Sequence, residues 1–358
     1  MAETQRLRVG IIGTGAIARL HARAYRSIGY SIRVCTDVDA GAGERFASEN
    51  GAEFVPDHEA LCRHPDIDFV DVCTLPNFRL EAVRACAERR LPVQVQKPIA
   101  TTLAIAREMV QISQDAGIVL GVVSQHRFDL STEFLGRAIG AGRLGKLIQC
   151  DAYVKWYRSD EYYARPIKGR WDVEGGGALI NQAIHQVDLL RWLVGPVDQV
   201  AGMWQIGARH RIESEDVLSA VLRYANGATG VLQASTALWP GYPERIELHG
   251  TRGTAVLTGD RLTTWDVRDD EGEPPPVAVD VASGAADPMA IGIEAFERQF
   301  LDFGAAIASG RAPRVTGEDG YQALEVVSAI YDACRTGEPV SLTGNKRHAS
   351  REPELDRP

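Results

Sequence analysis

The feature that most constrains the fold is a glycine-rich turn between a short apolar segment and a helical pattern. Residues 7–12 are apolar and β-branched, and residues 13–18 read Gly-Thr-Gly-Ala-Ile-Ala. This GxGxxA spacing lies in the strand–turn–helix context that its chemistry requires. Gly13 permits the tight turn, Gly15 lets a backbone approach a pyrophosphate, and small Ala18 allows close packing of helix on strand. The turn therefore predicts the first unit of a dinucleotide-binding domain.

An acidic residue after the next apolar segment indicates which dinucleotide is bound. Residues 31–36 form a second β-like segment, and Asp37 lies 24 residues beyond Gly13. A carboxylate at this place accepts hydrogen bonds from ribose hydroxyls and repels a 2′-phosphate, which favours NAD over NADP. The alternative is a loop carboxylate, because the Asp37-Val38-Asp39 segment is also suited to capping the following helix.

Apolar segments alternate with helical patterns throughout residues 1–125. Further strands are predicted at 53–55, 67–73, 92–98 and 118–123, and the helices between them at 40–49, 58–62, 80–89 and 102–116. This alternation predicts an α/β domain of the Rossmann type, with a doubly wound parallel sheet that binds ligands at the carboxyl ends of its strands.

Thr74, Asn77 and Lys97 fall at such strand ends. A lysine between a buried strand and Pro98 is costly unless its charge is used, so Lys97 is a candidate functional residue. The alternative is a solvated lysine in a surface turn.

A second glycine-rich stretch, residues 175–177, precedes a helical pattern. At α-helical spacing Asn181, His185, Asp188 and Trp192 share one stripe opposite an apolar face. The stripe places an imidazole beside an amide and a carboxylate, and three glycines allow close approach of another backbone or a flat ring. We therefore expect the stripe to face a cleft. The alternative is a hydrogen-bonded core histidine behind an ordinary turn.

Beyond residue 125 the pattern changes. An extended run at 146–156 leads into an aromatic and basic loop with Tyr157, Arg158 and Trp171, which suits recognition of a hydroxyl-rich ring and equally suits packing. Strands are then predicted at 217–224, 230–236, 244–248, 254–258 and 261–267, with turns rich in glycine.

These strands predict an α+β domain at 126–290, built on an open-faced, mostly antiparallel sheet that binds substrate. Its outer face is a candidate contact for a homodimer or homotetramer. Helices within 291–336 are predicted to pack back on the first domain, and the charged tail at 345–358 is predicted to be disordered.

Composition excludes several classes of function. A chain of 358 residues fits two domains, and a net charge of −9 argues against nucleic acid or an anionic membrane as partner. No run of about 18 apolar residues occurs, and the six cysteines are scattered without a metal-binding spacing. We expect a cytoplasmic protein with reduced thiols and no bound metal.

In this combination and order, the motifs resemble those of the Gfo/Idh/MocA family, named after glucose–fructose oxidoreductase, inositol dehydrogenase and a rhizopine catabolism protein. The similarity covers about residues 7–336. It rests on the turn at 13–18, on Thr74-Leu75-Pro76-Asn77, on Gln96-Lys97-Pro98 and on the glycines at 175–177 followed by His185. The resemblance implies an NAD-dependent oxidoreductase that oxidises or reduces a secondary alcohol on a sugar, cyclitol or related polyol.

The resemblance also implies roles for individual residues. Lys97 would lie beside the nicotinamide and the substrate hydroxyl, with His185 opposite as acid and base and Asn181 completing a catalytic triad. Cofactor-binding residues would be Gly13, Thr14, Gly15, Ala16, Ile17, Asp37, Thr74, Leu75, Pro76, Asn77, Gln96 and Lys97. Substrate-binding residues would be Gln125, Arg127, Tyr157, Arg158, Trp171, Asn181 and His185.

Three positions depart from the family pattern. Asn181 replaces a common aspartate and cannot carry a charge. Gln96 replaces glutamate, which removes an anion beside Lys97 and should lower the pKa of that lysine. Leu80 replaces a common histidine. If the pKa of Lys97 is strongly lowered, Lys97 and His185 exchange roles and the lysine becomes the base.

Two other functions fit the same motifs. One is a glycosidase that retains NAD, oxidises a sugar hydroxyl transiently and eliminates the aglycone. The other is a regulatory protein that senses a dinucleotide without turnover, although such a protein would not need Lys97 and His185 together.

Overall fold

Six parallel strands form the first sheet in the computed structural model, which describes residues 6–276 and 292–342. The strands are β1 (Arg8–Ile12), β2 (Ser31–Thr36), β3 (Glu53–Phe54), β4 (Phe69–Val72), β5 (Val93–Val95) and β6 (Leu120–Val122). Their spatial order is β3-β2-β1-β4-β5-β6. The chain reverses direction across the sheet between β1 and β4, which is where ligands bind in doubly wound folds.

Helices connect these strands, and their starts follow from side-chain caps. They are α1 (Ala16–Ser27), α2 (Ala40–Asn50), α3 (His58–Cys62), α4 (Arg79–Glu88) and α5 (Leu103–Ala116). Asp39, Asp57 and Thr102 each accept a hydrogen bond from a backbone N–H in the first turn of α2, α3 and α5. The predicted alternation and the fold class of this region are confirmed.

Two C-terminal helices pack against the rest of the molecule. They are α10 (Glu294–Ser309) and α11 (Gly317–Thr336). Phe296, Phe300 and Phe303 of α10 are buried in one cluster with Tyr25 of α1 and Phe69 of β4. The Tyr25 and Phe300 rings stack at 4.3 Å. Each fully buried phenylalanine stabilises the fold by about 1.5–3 kcal/mol, which accounts for the attachment of α10.

The second sheet has eight strands and begins after helix α6 (Leu130–Gly140). The strands are β7 (Leu147–Lys155), β8 (Val197–Ile206), β9 (Glu215–Tyr224), β10 (Thr229–Ser235), β11 (Arg245–Gly250), β12 (Gly253–Thr258), β13 (Arg261–Val267) and β14 (Val340–Ser341). Their order is β13-β12-β11-β7-β10-β9-β8-β14. All neighbouring pairs are antiparallel except β7 and β10, which confirms a mostly antiparallel sheet.

Helix α9 (Ile184–Val194) packs against β7, and α11 packs against β8, so both helices cover one face of this sheet. On β9 the residues alternate between buried and exposed, and Val221 lies on the open face. Met203 of β8 is 81% exposed. The sheet is therefore open on one side, as the sequence predicts.

Several elements differ from the sequence predictions. Strand β8 was not predicted because its apolar residues do not alternate and Gly202 interrupts it, where a Cβ would lie 3.0 Å from Cys334 Sγ. The aromatic loop contains two short helices, α7 (Asp160–Tyr163) and α8 (Trp171–Glu174). The predicted tail at 345–358 lies outside the described residues. The domain boundary at residue 125 stays a prediction.

Candidate active site

The glycine-rich turn lies at the carboxyl edge of β1. Gly13 has φ of +88°, and a Cβ there would lie 3.0 Å from the backbone N of Thr74. Gly15 caps α1 without a side-chain hydrogen bond, and a Cβ on it would meet no atom within 4 Å. The first turn of α1 contains no acidic residue. Open space in front of a helix N-terminus suits the pyrophosphate of a dinucleotide.

Asp37 faces this turn and does not cap the next helix. Its Oδ2 accepts hydrogen bonds from the backbone N and the hydroxyl of Thr14 at 2.7 and 2.8 Å. The capping role falls to Asp39, whose carboxylate accepts from the backbone N of Ala42 at 3.1 Å. Asp37 is therefore oriented at the end of β2, where a ribose carboxylate is required.

The loop after β4 contributes polar atoms that lack protein partners. A 3₁₀ turn, Pro76–Phe78, follows Leu75 and opens α4. Thr74 Oγ1 and Asn77 Oδ1 are buried and have no hydrogen-bond partner among the described residues. Buried polar groups without partners point to a bound ligand or water. This loop, Gly15 and Asp37 together fit a dinucleotide.

Arg79 joins two loops of the site and was missed in the sequence. Its guanidinium donates to the carbonyl of Thr74, at 3.0 Å from Nε, and to the carbonyls of Gln96 and Pro98. Burial lowers its pKa to about 9. No motif signals this role, because the carbonyls come from two separate strand ends.

Lys97 lies at the end of β5 and reaches across to the glycine-rich stretch. Its Nζ donates to the backbone carbonyl of Asn181 at 2.7 Å. Burial lowers the pKa of Lys97 to about 8, with further lowering by the charges of Lys168 and Arg79, while Glu174 raises it. The Lys97 amine is therefore mostly charged at pH 7, although burial and the neighbouring cations destabilise its charged form.

The side chain of Gln96 has hydrogen-bond partners within the protein. Its Nε2 lies 2.7 Å from Nε2 of His21, which is fully buried and bonded through Nδ1 to Asp71 at 2.6 Å. Gln96 Oε1 accepts a hydrogen bond from the backbone N of Lys97 at 3.2 Å. Gln96 thus helps to position Lys97, and its contact with NAD stays a prediction.

His21, Asp71 and Cys73 also have potential metal-ligand atoms within 4.8 Å of one another, a group the sequence did not indicate. Each of the three is buried. The His21 nitrogens already face Asp71 and Gln96, which accounts for the cluster without a metal.

The helix that carries His185 begins with a π-helical turn, Leu179–Ala183, and not with an α-helical one. The sequence analysis placed Asn181 and His185 four residues apart on one face of an α-helix. Because Asn181 lies in the wider π-helical turn, the prediction of α-helical geometry is wrong at the start of this helix. The Asn181 amide donates to the carbonyl of Gly176 at 3.2 Å. Asn181 thus meets Lys97 through its backbone oxygen.

His185 is 8% exposed and lines a small cavity with Lys97 and Ser124. Burial lowers its pKa well below the ordinary value, and the charges of Lys97 and His126 lower it further. Asp188, expected beside His185, instead accepts from Ser124 at 2.5 Å and from Arg127. His185 is therefore a neutral imidazole near a lysine, available to accept a proton.

The glycines at 175–177 are required by close contacts, as the sequence predicts. A Cβ on Gly177 would lie 1.9 Å from the carbonyl of Glu215, and one on Gly176 would lie 2.3 Å from the Tyr331 hydroxyl. The Glu215 carboxylate accepts from the backbone N of Gly177 and Leu179 at 3.0 and 2.8 Å. Burial raises the pKa of Glu215 to about 7. Glu215 anchors the start of the helix and was missed in the sequence.

Two of the predicted substrate residues, Arg127 and Trp171, have hydrogen-bond partners within the protein. Arg127 donates to Asp188 from Nε and Nη2 at 2.8 and 2.5 Å and to Asp319 at 3.1 Å, so its guanidinium ties α9 to α11. Trp171 donates from Nε1 to the carbonyl of Glu213 and packs on Trp204. The sequence did not indicate these partners because they are far apart in the chain, and substrate binding by Arg127 and Trp171 stays a prediction.

Gln125, Tyr157 and Arg158 complete the predicted substrate-binding set, and their role stays a prediction. Arg158 is buried, and its charge lowers the pKa of Lys97, which places it near that amine. The Tyr157 hydroxyl accepts from Arg209 at 2.8 Å, and its ring meets that of Trp239 edge to face. Gln125 is buried in a 3₁₀ turn.

Comparison with known proteins places this site in a family. Residues 7–124 match the model described as "Oxidoreductase family, NAD-binding Rossmann fold", and residues 132–256 match the GFO/IDH/MocA C-terminal domain. The chain belongs to the Gfo/Idh/MocA family.

Curated relatives and a solved structure agree with this assignment. Myo-inositol 2-dehydrogenase from Thermotoga maritima is 28% identical and the match covers 89% of this chain and 93% of that protein. 1,5-Anhydro-D-fructose reductase from Ensifer adhaerens is 29% identical, with coverage of 94% and 98%. The WlbA dehydrogenase from Bordetella pertussis, solved with NADH and UDP-GlcNAcA, superposes with a TM-score of 0.82 at 27% identity, with coverage of 94% and 99%.

The chain is therefore an NAD-dependent oxidoreductase that acts on CH–OH groups. The three relatives support neither the retained-NAD glycosidase nor the dinucleotide-sensing regulator. Among the described residues, every helix is too short or too polar to span a bilayer.

Proposed function

We propose that the protein transfers a hydride between NAD and a secondary alcohol or ketone of a sugar, cyclitol or related polyol. The observation that carries this proposal is the placement of Lys97 and His185 on one cavity, with the Lys97 amine held by the Asn181 carbonyl. The relatives named for inositol and anhydrofructose support the substrate class.

The ionisation of the two groups matches the chemistry. Bound NAD supplies the hydride acceptor. Lys97, charged near neutral pH, binds the substrate oxygen and stabilises its developing negative charge. His185, neutral because of its lowered pKa, accepts the hydroxyl proton. Exchanged roles, with Lys97 as base, would require an uncharged lysine.

The cofactor would be held by one edge of the first sheet. We assign the pyrophosphate to the turn at 13–18 and the α1 N-terminus, and the ribose to Asp37, which favours NAD over NADP. Thr74, Leu75, Pro76 and Asn77 would line the nicotinamide side. The residues that we assign to the substrate side are Gln125, Arg127, Tyr157, Arg158, Trp171, Asn181 and His185.

Three wider assignments accompany this proposal. The open face of the second sheet would join subunits into a homodimer or homotetramer, since exposed apolar side chains on it include Met203 and Val221. The chain would divide at residue 125 into a cofactor domain and a substrate domain. The protein would work in the cytoplasm.

The test is NADH formation with NAD across free sugars, glycosides, inositols and sugar acids, with aglycone release measured in the same reactions. We expect turnover on one stereochemical group of substrates and no cleavage of glycosides. Glycoside cleavage without net NADH would favour the glycosidase, and tight NAD binding without turnover on any compound would favour the regulator.

A further inference from the structure

Oxidation of an alcohol by NAD releases one hydride and one proton, and the proton must leave the site before the next turnover. The hydride goes to the nicotinamide, and in the proposed function the proton goes to His185. His185 is 8% exposed. The proton therefore needs a second acceptor that connects His185 with solvent.

His126 lies where such an acceptor is required. Its ring meets the His185 ring edge to face, with centroids 4.9 Å apart and an interplanar angle of 88°. Its Nδ1 faces Asp129 Oδ2 at 2.7 Å, and 23% of its side chain is exposed. Asp129 holds the ring through Nδ1–H, which leaves Nε2 as the nitrogen that can accept a proton.

A second cavity lies behind His126, separate from the one that His185 lines. It is small, and its lining includes His126, Asp129, Gln186 and Glu244. Glu244 is 8% exposed and Gln186 is 3% exposed. Glu244 Oε2 and Gln186 Oε1 are buried without a hydrogen-bond partner in the described part of the chain. Such oxygens are normally satisfied by ordered water, which also carries protons.

The charges around His126 favour a proton on it over one on His185. Burial lowers the pKa of His126, but the Asp129 carboxylate, with Glu244 and Asp260, raises it to about 8. The pKa of His185 lies well below its ordinary value because of burial and the cations at Lys97 and His126. His126 is therefore mostly charged near pH 7, and once it has given its proton to water its neutral ring is a stronger base than that of His185.

We propose that His126 is a second proton acceptor, which takes the substrate proton from His185 and passes it to solvent through the cavity lined by Asp129, Gln186 and Glu244. In oxidation the charged His126 releases a proton to water, the O–H proton moves to His185, and the neutral His126 Nε2 then takes it, which restores the charged His126 and the neutral His185. In reduction the same steps run backward and His126 supplies the proton. The inference rests on the proposed function, because it takes His185 as the base.

The test is NADH formation by the full-length His126→Ala protein on a substrate that the wild type oxidises, in weakly buffering medium and with added imidazole. We expect kcat to fall at least about tenfold while KM stays within about threefold, since the step lost is proton transfer. Added imidazole should restore kcat with saturation, because it fills the space left by the side chain. Glu244→Gln should show a smaller loss that is also relieved by buffer.

His126→Gln is a second variant that keeps a polar side chain, so a loss of kcat in both variants is not explained by a folding defect of His126→Ala alone. His58→Ala is the matched control for loss of a histidine outside the site. An unchanged kcat in both His126 variants would overturn the proton route. A raised KM without imidazole rescue would also overturn it and make His126 a substrate contact. Full activity of His185→Ala would instead refute His185 as the base, and no NADH formation by the wild type on any compound of the panel would refute the proposed function, so these failures are distinguishable.

Discussion

The Lys97 amine is charged near neutral pH although its surroundings destabilise the charged form. Burial and the cations at Lys168 and Arg79 lower its pKa, and only Glu174 among the main influences raises it. Its amine is held by the Asn181 carbonyl, and its backbone N is held by Gln96. A substrate oxygen that gains negative charge would relieve this unfavourable environment, so the interaction strengthens as the reaction proceeds.

Asp37 should determine cofactor preference at the scale of a single side chain. We expect Asp37→Ala to shift the ratio of kcat/KM for NAD and NADP toward NADP by about tenfold, since a hydrogen bond to a charged group contributes about 1.5 kcal/mol. Initial rates with both cofactors measure the ratio.

Asp39→Ala is the matched control, because it removes the α2 cap at a cost of about 1 kcal/mol and leaves the carboxylate at 37. An unchanged ratio in Asp37→Ala would show that Asp37 does not contact the ribose.

Individual residues were predictable from the sequence where a local motif specifies them. Lys97 and the turn at 13–18 lie in short motifs, and the residues that define each motif are adjacent in the sequence. The protein partners of Arg127 and Trp171 could not be predicted, because they come from α9, α11 and β8 and no local pattern reveals them.

At the scale of elements, the Glu215 carboxylate fixes the start of the helix that carries His185. Glu215 accepts hydrogen bonds from Gly177, Leu179 and the Tyr331 hydroxyl, and the chain then takes a π-helical turn before α9. A π turn is often found at functional sites. The sequence predicts a helix here but not the turn type, since Glu215 lies on a strand 36 residues from Leu179.

Glu215→Gln should weaken this anchor. The amide cannot accept hydrogen bonds at both of its ends, so we expect a lower Tm, by about 2–4 °C for each 1 kcal/mol lost. Thermal unfolding of Glu215→Gln and of Glu81→Gln, an exposed control on α4, measures the effect. An equal Tm for wild type and Glu215→Gln would contradict the anchoring role.

The same residue predicts a dependence of stability on pH. The pKa of Glu215 is raised to about 7 on folding, so its proton favours the folded state. Its contribution is full below the unfolded pKa of about 4.5 and is lost as pH rises through about 7, up to about 3 kcal/mol. We expect the wild-type Tm to fall more between pH 5 and pH 8 than that of Glu215→Gln. An equal fall in both proteins would refute this.

At the scale of the whole molecule, the two sheets differ in how they are covered. Helices enclose the first sheet, whereas the second is covered by α9 and α11 on one face only. The alternation of β9 made the open face predictable, and β8 could not be predicted because its pairing partners β9 and β14 lie elsewhere in the chain.

Charges on the open face should separate the subunits if that face joins them. We expect the double variant Met203→Glu with Val221→Glu to have the mass of a monomer by light scattering, while the wild type has the mass of a dimer or tetramer. Leu301→Glu on α10 is the control for an added charge on another surface. A wild-type monomer, or a double variant with unchanged mass, would refute the proposed interface.

The central claim is that Lys97 and His185 act together on one hydroxyl. It is tested most directly by the kcat of NADH formation for His185→Ala beside wild type and His58→Ala, on a substrate found in the panel. The account predicts a loss of about 100-fold or more in His185→Ala, with NADH binding retained and His58→Ala unaffected. Turnover by His185→Ala within about twofold of wild type would contradict the account.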